Sequence, residues 1–214
     1  MHERKCLEEL TGRKSGDRNR AATSTGPMKR LGKFQLLERV GLWACGAVWR
    51  ARDTELDRIV ALKIPNAGLL YSPDDLERFR REAQAAAQLR HPNIVTVHDV
   101  VTLEGLPTLV SDFIEGVPLK EYMEKRRLTF REAAALIAVL ADALEHAHRM
   151  GVVNRDIKPG NIMLERGPEV DSEGNEAGVQ PGGKDELARV GKPLLMDFGL
   201  ALRSEAEVML TLEG

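Results

Sequence analysis

The sequence predicts an α+β fold in which a strand-rich first part precedes a helical second part. Residues 33–114 fit five strands and one helix. After Gly116 apolar residues recur at helical spacing, which predicts a short helix near Leu119–Lys125 and a long one from about Phe130 to Arg149. These observations place the strands and most of the helices in separate parts of the chain.

The long helix carries start and stop signals of its own. Thr129-Phe130-Arg131-Glu132 is a capping box, in which the threonine and glutamate side chains satisfy main-chain groups of the first turn. Gly151 stands just past the last helical residue, where a helix commonly ends. Its apolar residues Leu136, Leu140, Leu144 and Ala147 repeat at helical spacing.

The helix of the first part is predicted over Asp74–Leu89. It opens with Ser72-Pro73-Asp74-Asp75, an N-cap serine followed by proline at the first helical position. Glu82 lies at the edge of its apolar stripe, so this carboxylate can face inward while the stripe packs. The stripe comprises Leu76, Phe79, Ala83, Ala86 and Ala87.

Composition narrows the class of protein. The chain has 214 residues, 30% of them charged, a net charge of −2 and 4% aromatic residues. Near-neutral charge without a dense basic face argues against nucleic-acid binding as the main role. No apolar run is long enough to span a bilayer, and the first thirty residues lack the apolar core of a signal peptide. Two cysteines give no disulfide framework, so we expect a cytoplasmic protein.

The segment Asn154–Leu164 and a later aspartate, Asp197, contain the residue types that transfer of a phosphoryl group requires. Transfer of a phosphoryl group needs an acceptor for the attacking hydroxyl, a cation near the γ-phosphoryl group and hard oxygen ligands for Mg²⁺. Asp156 is the candidate base, and Lys158 is the candidate cation that neutralises the transferring charge. The candidate metal ligands are Asn161 and Asp197.

This arrangement resembles the catalytic loop and Asp-Phe-Gly motif of eukaryotic-like, or Hanks-type, protein kinases. Further motifs of the family occur upstream in the expected order. By resemblance, Lys63 in Val60-Ala61-Leu62-Lys63 contacts the ATP phosphates, Glu82 is its partner, and Leu109–Gly116 is the last strand running into the hinge. The resemblance also makes Ala61 a candidate nucleotide-binding residue, and it places the main chains of Asp112 and Ile114 at adenine.

The glycine-rich phosphate loop of the family corresponds to residues 40–48. Val40, Gly41, Gly46 and Val48 match its pattern, whereas Trp43 occupies the position of the middle glycine. Glycine is used there because the main chain approaches the phosphates closely. An indole at this position predicts weaker ATP binding.

The resemblance implies a serine/threonine protein kinase that uses ATP and Mg²⁺ and acts on serine or threonine hydroxyls of proteins. Phrases such as His91-Pro92-Asn93-Ile94-Val95 and Ile157–Leu164 are similar to the bacterial branch. Asn154 replaces the family's usual histidine, and its side chain can still donate a hydrogen bond. The alternative is a catalytically impaired nucleotide-binding or regulatory fragment, which Trp43 and Asn154 favour.

Four segments complete the organisation. We expect residues 1–32 to be a disordered leader, with Met28 as an alternative start, and residues 33–114 and 115–214 to be the two lobes. Residues 165–192 are rich in glycine and charge and predict a flexible insertion. No Ala-Pro-Glu-type motif follows Asp197, so we expect a second lobe cut short in the activation loop, and a possible partner that completes it.

Overall fold

The predicted α+β class is confirmed by the computed structural model. The residues form two compact units. The first contains the described residues up to Ala87 together with Val97–Phe113, and the second contains Gln88–Thr96 together with the described residues from Ile114 onward. The structure describes residues 29–43, 46–65, 73–165, 187 and 189–198.

The first unit is built on an antiparallel sheet of six strands in the order β1-β2-β3-β4-β6-β5. Five strands were predicted, and the addition is the two-residue β1, which lies within the predicted leader and buries Leu31. Phe34, Leu62 and Ile64 form part of the buried core. The strands are β1 (Arg30–Leu31), β2 (Phe34–Trp43), β3 (Gly46–Asp53), β4 (Arg58–Pro65), β5 (Val97–Leu103) and β6 (Leu106–Asp112).

Helix α1 (Pro73–Ala86) packs against β5 and β6 of this sheet. Its buried face follows the predicted stripe, with Phe79 and Ala83 fully covered and Glu82 half-buried. The helix ends three residues before the predicted Leu89. Leu89 itself is buried after the chain has left the helix.

The second unit combines two helices with a three-stranded sheet of order β7-β8-β9. Both predicted helices are confirmed, and the capping box of the longer one forms between Thr129 and Glu132. Within the described residues, no helix has the length and apolar character needed to cross a membrane. The elements are β7 (Gly116–Pro118), α2 (Leu119–Lys125), α3 (Phe130–Arg149), β8 (Ile162–Glu165) and β9 (Lys192–Leu195), with a 3-10 turn over Pro159–Asn161.

The ends of the predicted insertion are strand residues. Glu165, the last residue of β8, is paired with Lys192, the first residue of β9, so these two antiparallel strands flank the connection. Main-chain bonds from Leu195 N to Asn93 O (2.8 Å) and from Val95 N to Leu195 O (2.9 Å) fasten β9 to the segment before β5. Strand β9 therefore has partners on both sides just before Asp197.

Candidate active site

The loop between α3 and β8 is organised by Asn154. The left-handed backbone of Gly151 (φ +74°) ends the helix, and three residues later the Asn154 side chain is buried. Its Oδ1 accepts from the main-chain N–H of Asp156 (3.0 Å), while its Nδ2 donates to the carbonyl oxygen of Met196 (3.3 Å). The predicted capacity of Asn154 to donate is thus confirmed, and it links the loop to the residue before Asp197.

The Asp156 carboxylate is held on one oxygen. Its Oδ2 accepts from Lys158 Nζ (2.5 Å) and from Asn161 Nδ2 (2.9 Å). The hydrogen bond from Lys158 lowers the pKa of the Asp156 carboxyl, and the bond from Asn161 lowers it further against the opposing effect of burial. Within the part of the chain that the structure describes, Oδ1 takes no hydrogen bond. This oxygen is therefore available to accept from an incoming hydroxyl.

Asn161 and Asp197 are brought together through the main chain. Asn161 is buried, and its Nδ2 donates to the Asp156 carbonyl oxygen (2.8 Å) as well as to the carboxylate. This pattern assigns the amide orientation and directs its Oδ1 elsewhere. Met196 N donates to Asn161 O (2.9 Å), and the next residue, Asp197, has a left-handed backbone (φ +59°). Such a backbone in a non-glycine residue costs about 1 kcal/mol or more and is concentrated at functional sites.

These two residues fit Mg²⁺ by their chemistry. An amide oxygen and a carboxylate are hard oxygen donors, which Mg²⁺ prefers. Among the described residues no group of three or more His, Cys, Asp or Glu side chains is placed to hold a metal. Mg²⁺ needs no such group, since it is commonly held by one or two protein oxygens together with phosphate oxygens and water.

Three of the candidate nucleotide-binding residues lie side by side on adjacent strands. Val48 on β3 is paired with Gly41 on β2 and with Lys63 on β4. Burial lowers the pKa of the half-buried Lys63 ammonium to about 8. Ala61, two residues before Lys63 on the same face of β4, is buried. The sheet therefore presents one partly desolvated cation beside the predicted phosphate loop.

The two glycines of the phosphate loop have different surroundings. A Cβ at Gly46 would lie 2.1 Å from the carbonyl oxygen of Ile64 and 2.8 Å from the Pro65 Cα, so strand β4 excludes any side chain there. Among the residues that the structure describes, a Cβ at Gly41 would meet nothing within 4 Å. Gly46 is thus required by the sheet itself, whereas the open space beside Gly41 is compatible with the predicted approach of phosphates.

The other predicted site residues are placed as follows. The Val40 side chain is 46% exposed on β2, and Glu82 is half-buried on α1. Asp112 is the last residue of β6, and Ile114 follows two residues later. The roles of all these residues, and the pairing of Lys63 with Glu82, stay predictions.

Two contacts near the candidate site were not predicted from the sequence. The first is the bond from Asn154 to the carbonyl oxygen of Met196 (3.3 Å), and the second joins the side chains of His98 and Asp112 (2.7 Å). Motifs report residue types along the chain, whereas these pairs are 42 and 14 residues apart. The sequence offered no more for the second contact than the presence of His98, a polar residue that belongs to no motif.

With this geometry established, comparison with known proteins gives the family. A family model described as the protein kinase domain matches residues 34–213. This chain belongs to the protein kinase domain family. It is similar to serine/threonine-protein kinase PrkC of Bacillus subtilis, with 38% identity over 135 residues, or 63% of this chain and 21% of that protein. It is also similar to serine/threonine-protein kinase PkaA of Streptomyces coelicolor, with 38% identity over 181 residues, or 79% and 30%.

Solved kinase structures agree with the fold. The crystal structure of the Mycobacterium tuberculosis PknI kinase domain matches with a TM-score of 0.65 and 25% identity, over 83% of this chain and 64% of that chain. The predicted kinase-like α+β fold and the resemblance to bacterial Hanks-type serine/threonine kinases are therefore confirmed. The chain spans only about a fifth to a third of the length of these two curated relatives.

Proposed function

We propose that this kinase domain transfers the γ-phosphoryl group of ATP to serine or threonine hydroxyls of proteins. The observation that carries the proposal is the Asp156 carboxylate, fixed through Oδ2 by Lys158 and Asn161 with Oδ1 left to accept. A lowered pKa keeps this carboxyl ionised at neutral pH, as an acceptor for a hydroxyl must be.

The loop's residues have separate parts in the transfer. Asp156 Oδ1 accepts the hydrogen bond of the substrate hydroxyl and takes its proton as the oxygen attacks the γ-phosphorus. The bond from that phosphorus to the bridging oxygen breaks, and ADP leaves. Lys158 Nζ, 2.5 Å from Asp156 Oδ2, carries positive charge beside the reacting group. The bonds among these residues exist before substrate arrives, so little reorganisation is needed.

ATP itself is bound by the first unit's residues in this proposal. Lys63 pairs with the phosphates, the open side of Gly41 admits them, and the main chain of Asp112 meets adenine. When bound, Mg²⁺ neutralises phosphate charge, and Asn161 and Asp197 are the residues that would hold it. The similarity to the serine/threonine-protein kinases PrkC and PkaA supports the choice of serine and threonine hydroxyls as acceptors.

A phosphoryl-transfer assay with purified protein, Mg-ATP and a generic basic protein tests the proposal. Phosphoamino-acid analysis of the product should show phosphoserine or phosphothreonine. Asp156→Asn should lower the rate by about a hundredfold or more, because it removes the proton acceptor. The matched control is Glu145→Gln, which changes an exposed carboxylate on α3 that forms an ion pair with Arg149. Equal rates for Asp156→Asn and the unmodified chain would exclude the proposed base.

A second candidate is nucleotide binding without transfer, as in a regulatory kinase fragment. Trp43 at the position of the middle glycine favours it, since a bulky residue there opposes a productive phosphate position. Measuring Mg-ADP binding beside transfer separates the two functions. Binding without any transfer supports the regulatory role, while Asp156-dependent transfer supports the kinase.

A further inference from the structure

Side chains from three adjacent strands meet where β6 ends. His98 Nε2 on β5 lies 2.7 Å from Oδ1 of Asp112, the last residue of β6. Arg58 on β4 places Nη1 3.3 Å from Nε2 and 3.4 Å from Nδ1 of the same imidazole. Strand β6 lies between β4 and β5 in the sheet. The cluster Arg58–His98–Asp112 therefore contains one residue from the end of β6 and one residue from each of its two neighbouring strands.

An irregularity in strand pairing directs His98 toward Asp112. Val97 is paired with Ser111, but Asp99 is paired with Val110, so His98 is an extra residue without a partner in the ladder. Such a bulge turns a side chain away from the regular alternation of a strand. His98 thereby reaches the residue that follows Ser111 on β6.

The contact between His98 and Asp112 is partly shielded from solvent, and the chemistry of its two groups fixes the direction of the hydrogen bond. The His98 side chain is 21% exposed and that of Asp112 is 45% exposed. Since a carboxylate can only accept, Nε2 must carry the hydrogen of this bond. His98 thus lies between the guanidinium of Arg58 and the carboxylate of Asp112, and its Nε2 hydrogen is directed to that carboxylate.

The next residue along the chain is also held from the sheet. The guanidinium of Arg50 on β3 lies 5.3 Å from the centre of the Phe113 ring, within the range of a cation–π contact. Restraints on Asp112 and Phe113 together fix the peptide unit between them. This peptide includes the Asp112 carbonyl group.

We propose that His98 is a positioning residue for adenine recognition. By fixing the Asp112 side chain at the end of β6, it fixes the Asp112 main chain, which the proposed function assigns to adenine. The inference rests on that proposed function and adds to it a side chain that touches neither nucleotide nor substrate. Its effect should therefore appear in nucleotide affinity and leave the transfer step unchanged.

The test compares Mg-ADP binding by calorimetry with steady-state kinetics for His98→Ala, His98→Gln and the unmodified chain. His98→Ala should raise the Kd for Mg-ADP and the KM for ATP by about tenfold, as expected for a hydrogen bond to a charged group, with kcat within about twofold. His98→Gln retains a donor near Nε2 and should stay within about threefold of the unmodified chain. Asp112→Asn combined with His98→Ala should be no worse than His98→Ala alone.

Thr102→Ala on the same strand is the matched control, because Thr102 is exposed at the far end of β5. It should leave the Kd and KM unchanged. Unaltered Mg-ADP affinity in a folded His98→Ala protein overturns the inference while leaving the proposed function intact, and so does an equal loss in His98→Gln and His98→Ala. A fall in kcat with unchanged KM also overturns it. If the unmodified chain binds no adenine nucleotide, the proposed function fails, and the inference fails with it.

Discussion

The candidate catalytic loop, Asn154–Leu164, and the strands that carry the candidate nucleotide-binding residues are held in place by different means. In the loop, the polar side chains of Asn154, Asp156, Lys158 and Asn161 bond to one another and to the main chain. On the strands, the candidate residues are placed by ladder register and burial, as Lys63 and Gly46 show. The loop should therefore be sensitive to loss of single polar groups, and the strands to changes in volume and charge burial.

The difference follows from how main-chain groups are satisfied. A strand in a sheet pairs its N–H and C=O groups with neighbouring strands, so its side chains are free for packing or ligands. A loop has no ladder, and side-chain amides and carboxylates must supply its partners. The same residues that order the catalytic loop are consequently those proposed to act on the substrate.

The largest effect is expected from Asn161→Ala. The change removes a proposed Mg²⁺ ligand and two hydrogen bonds to Asp156, so kcat should fall by about a hundredfold or more. Asn93→Ala removes a comparable amide bond, to the Pro193 carbonyl oxygen (2.8 Å), outside the loop. This control should lower the free energy of unfolding by about 1 kcal/mol and leave kcat nearly unchanged. Similar kcat losses in both variants would contradict the special role of the loop.

Lys63→Met should weaken nucleotide binding yet stabilise the free protein. In the unfolded chain the amine titrates near 10.5, whereas burial lowers its pKa to about 8 in the fold. Between these values the unfolded state binds more protons, so the free energy of unfolding of the unmodified protein should rise with pH from about 8 to 10.5. Below pH 8 the Lys63 amine is protonated in both states, so the unfavourable contribution of its burial to the free energy of unfolding is constant and at its largest. Lys63→Met should then add about 1–3 kcal/mol at pH 7 and remove this pH dependence.

Urea unfolding at pH 7 and at pH 9.5 measures this change, and Mg-ADP affinity at the same two values measures the function of Lys63. The affinity of the unmodified protein should fall above pH 8 as the Lys63 amine loses its proton, since a neutral amine pairs poorly with phosphate. The control is Lys120→Met, an exposed lysine of α2. A Lys63→Met protein that is less stable at pH 7 would show that its charge is better compensated than burial implies.

Two alanine substitutions compare the glycines of the phosphate loop. Gly46→Ala forces a Cβ against the Ile64 carbonyl oxygen, so the free energy of unfolding should fall by about 1–3 kcal/mol. Gly41→Ala meets open space and should change stability by less than about 1 kcal/mol, while weakening Mg-ATP binding if phosphates approach there. Thermal unfolding and nucleotide titration of both variants provide the comparison. Equal stability of the two would refute the steric assignment of Gly46.

Local signals explain which parts of the fold could be predicted from the sequence. The boundaries of α3 followed from its capping box and Gly151, because these groups act within a few residues of the helix ends. The end of α1 was predicted three residues too late, and the sequence after Ala86 carries no glycine or proline stop signal before Leu89. Gly46 was assigned to phosphate binding from its motif, while the approach of β4, a strand nearly twenty residues away, supplies a second reason for glycine.

The candidate site shows the same limit. Spacing in the loop singled out Asp156, Lys158 and Asn161, and the structure joins these side chains by hydrogen bonds, while their catalytic and metal-binding roles stay predictions. The contact between His98 and Asp112 could not be predicted, because it depends on a bulge that shifts the register of β5 against β6. Register is a property of two strands, and a single strand's sequence does not contain it.

The smallest expected effect concerns Asn154, where the family usually has histidine. Its two bonds tie the Asp156 main chain to Met196, so Asn154→Ala should lower kcat by about tenfold and the free energy of unfolding by about 1–2 kcal/mol. Asn154→His retains a ring donor and acceptor and should keep kcat within about threefold of the unmodified chain. Steady-state kinetics and urea unfolding of both variants measure this, with Asn93→Ala again separating stability from turnover. If Asn154→His raised kcat by about tenfold, asparagine would be the less active residue at this position. If kcat of Asn154→His fell as far as that of Asn154→Ala, the geometry of the two amide bonds would matter more than the presence of a donor.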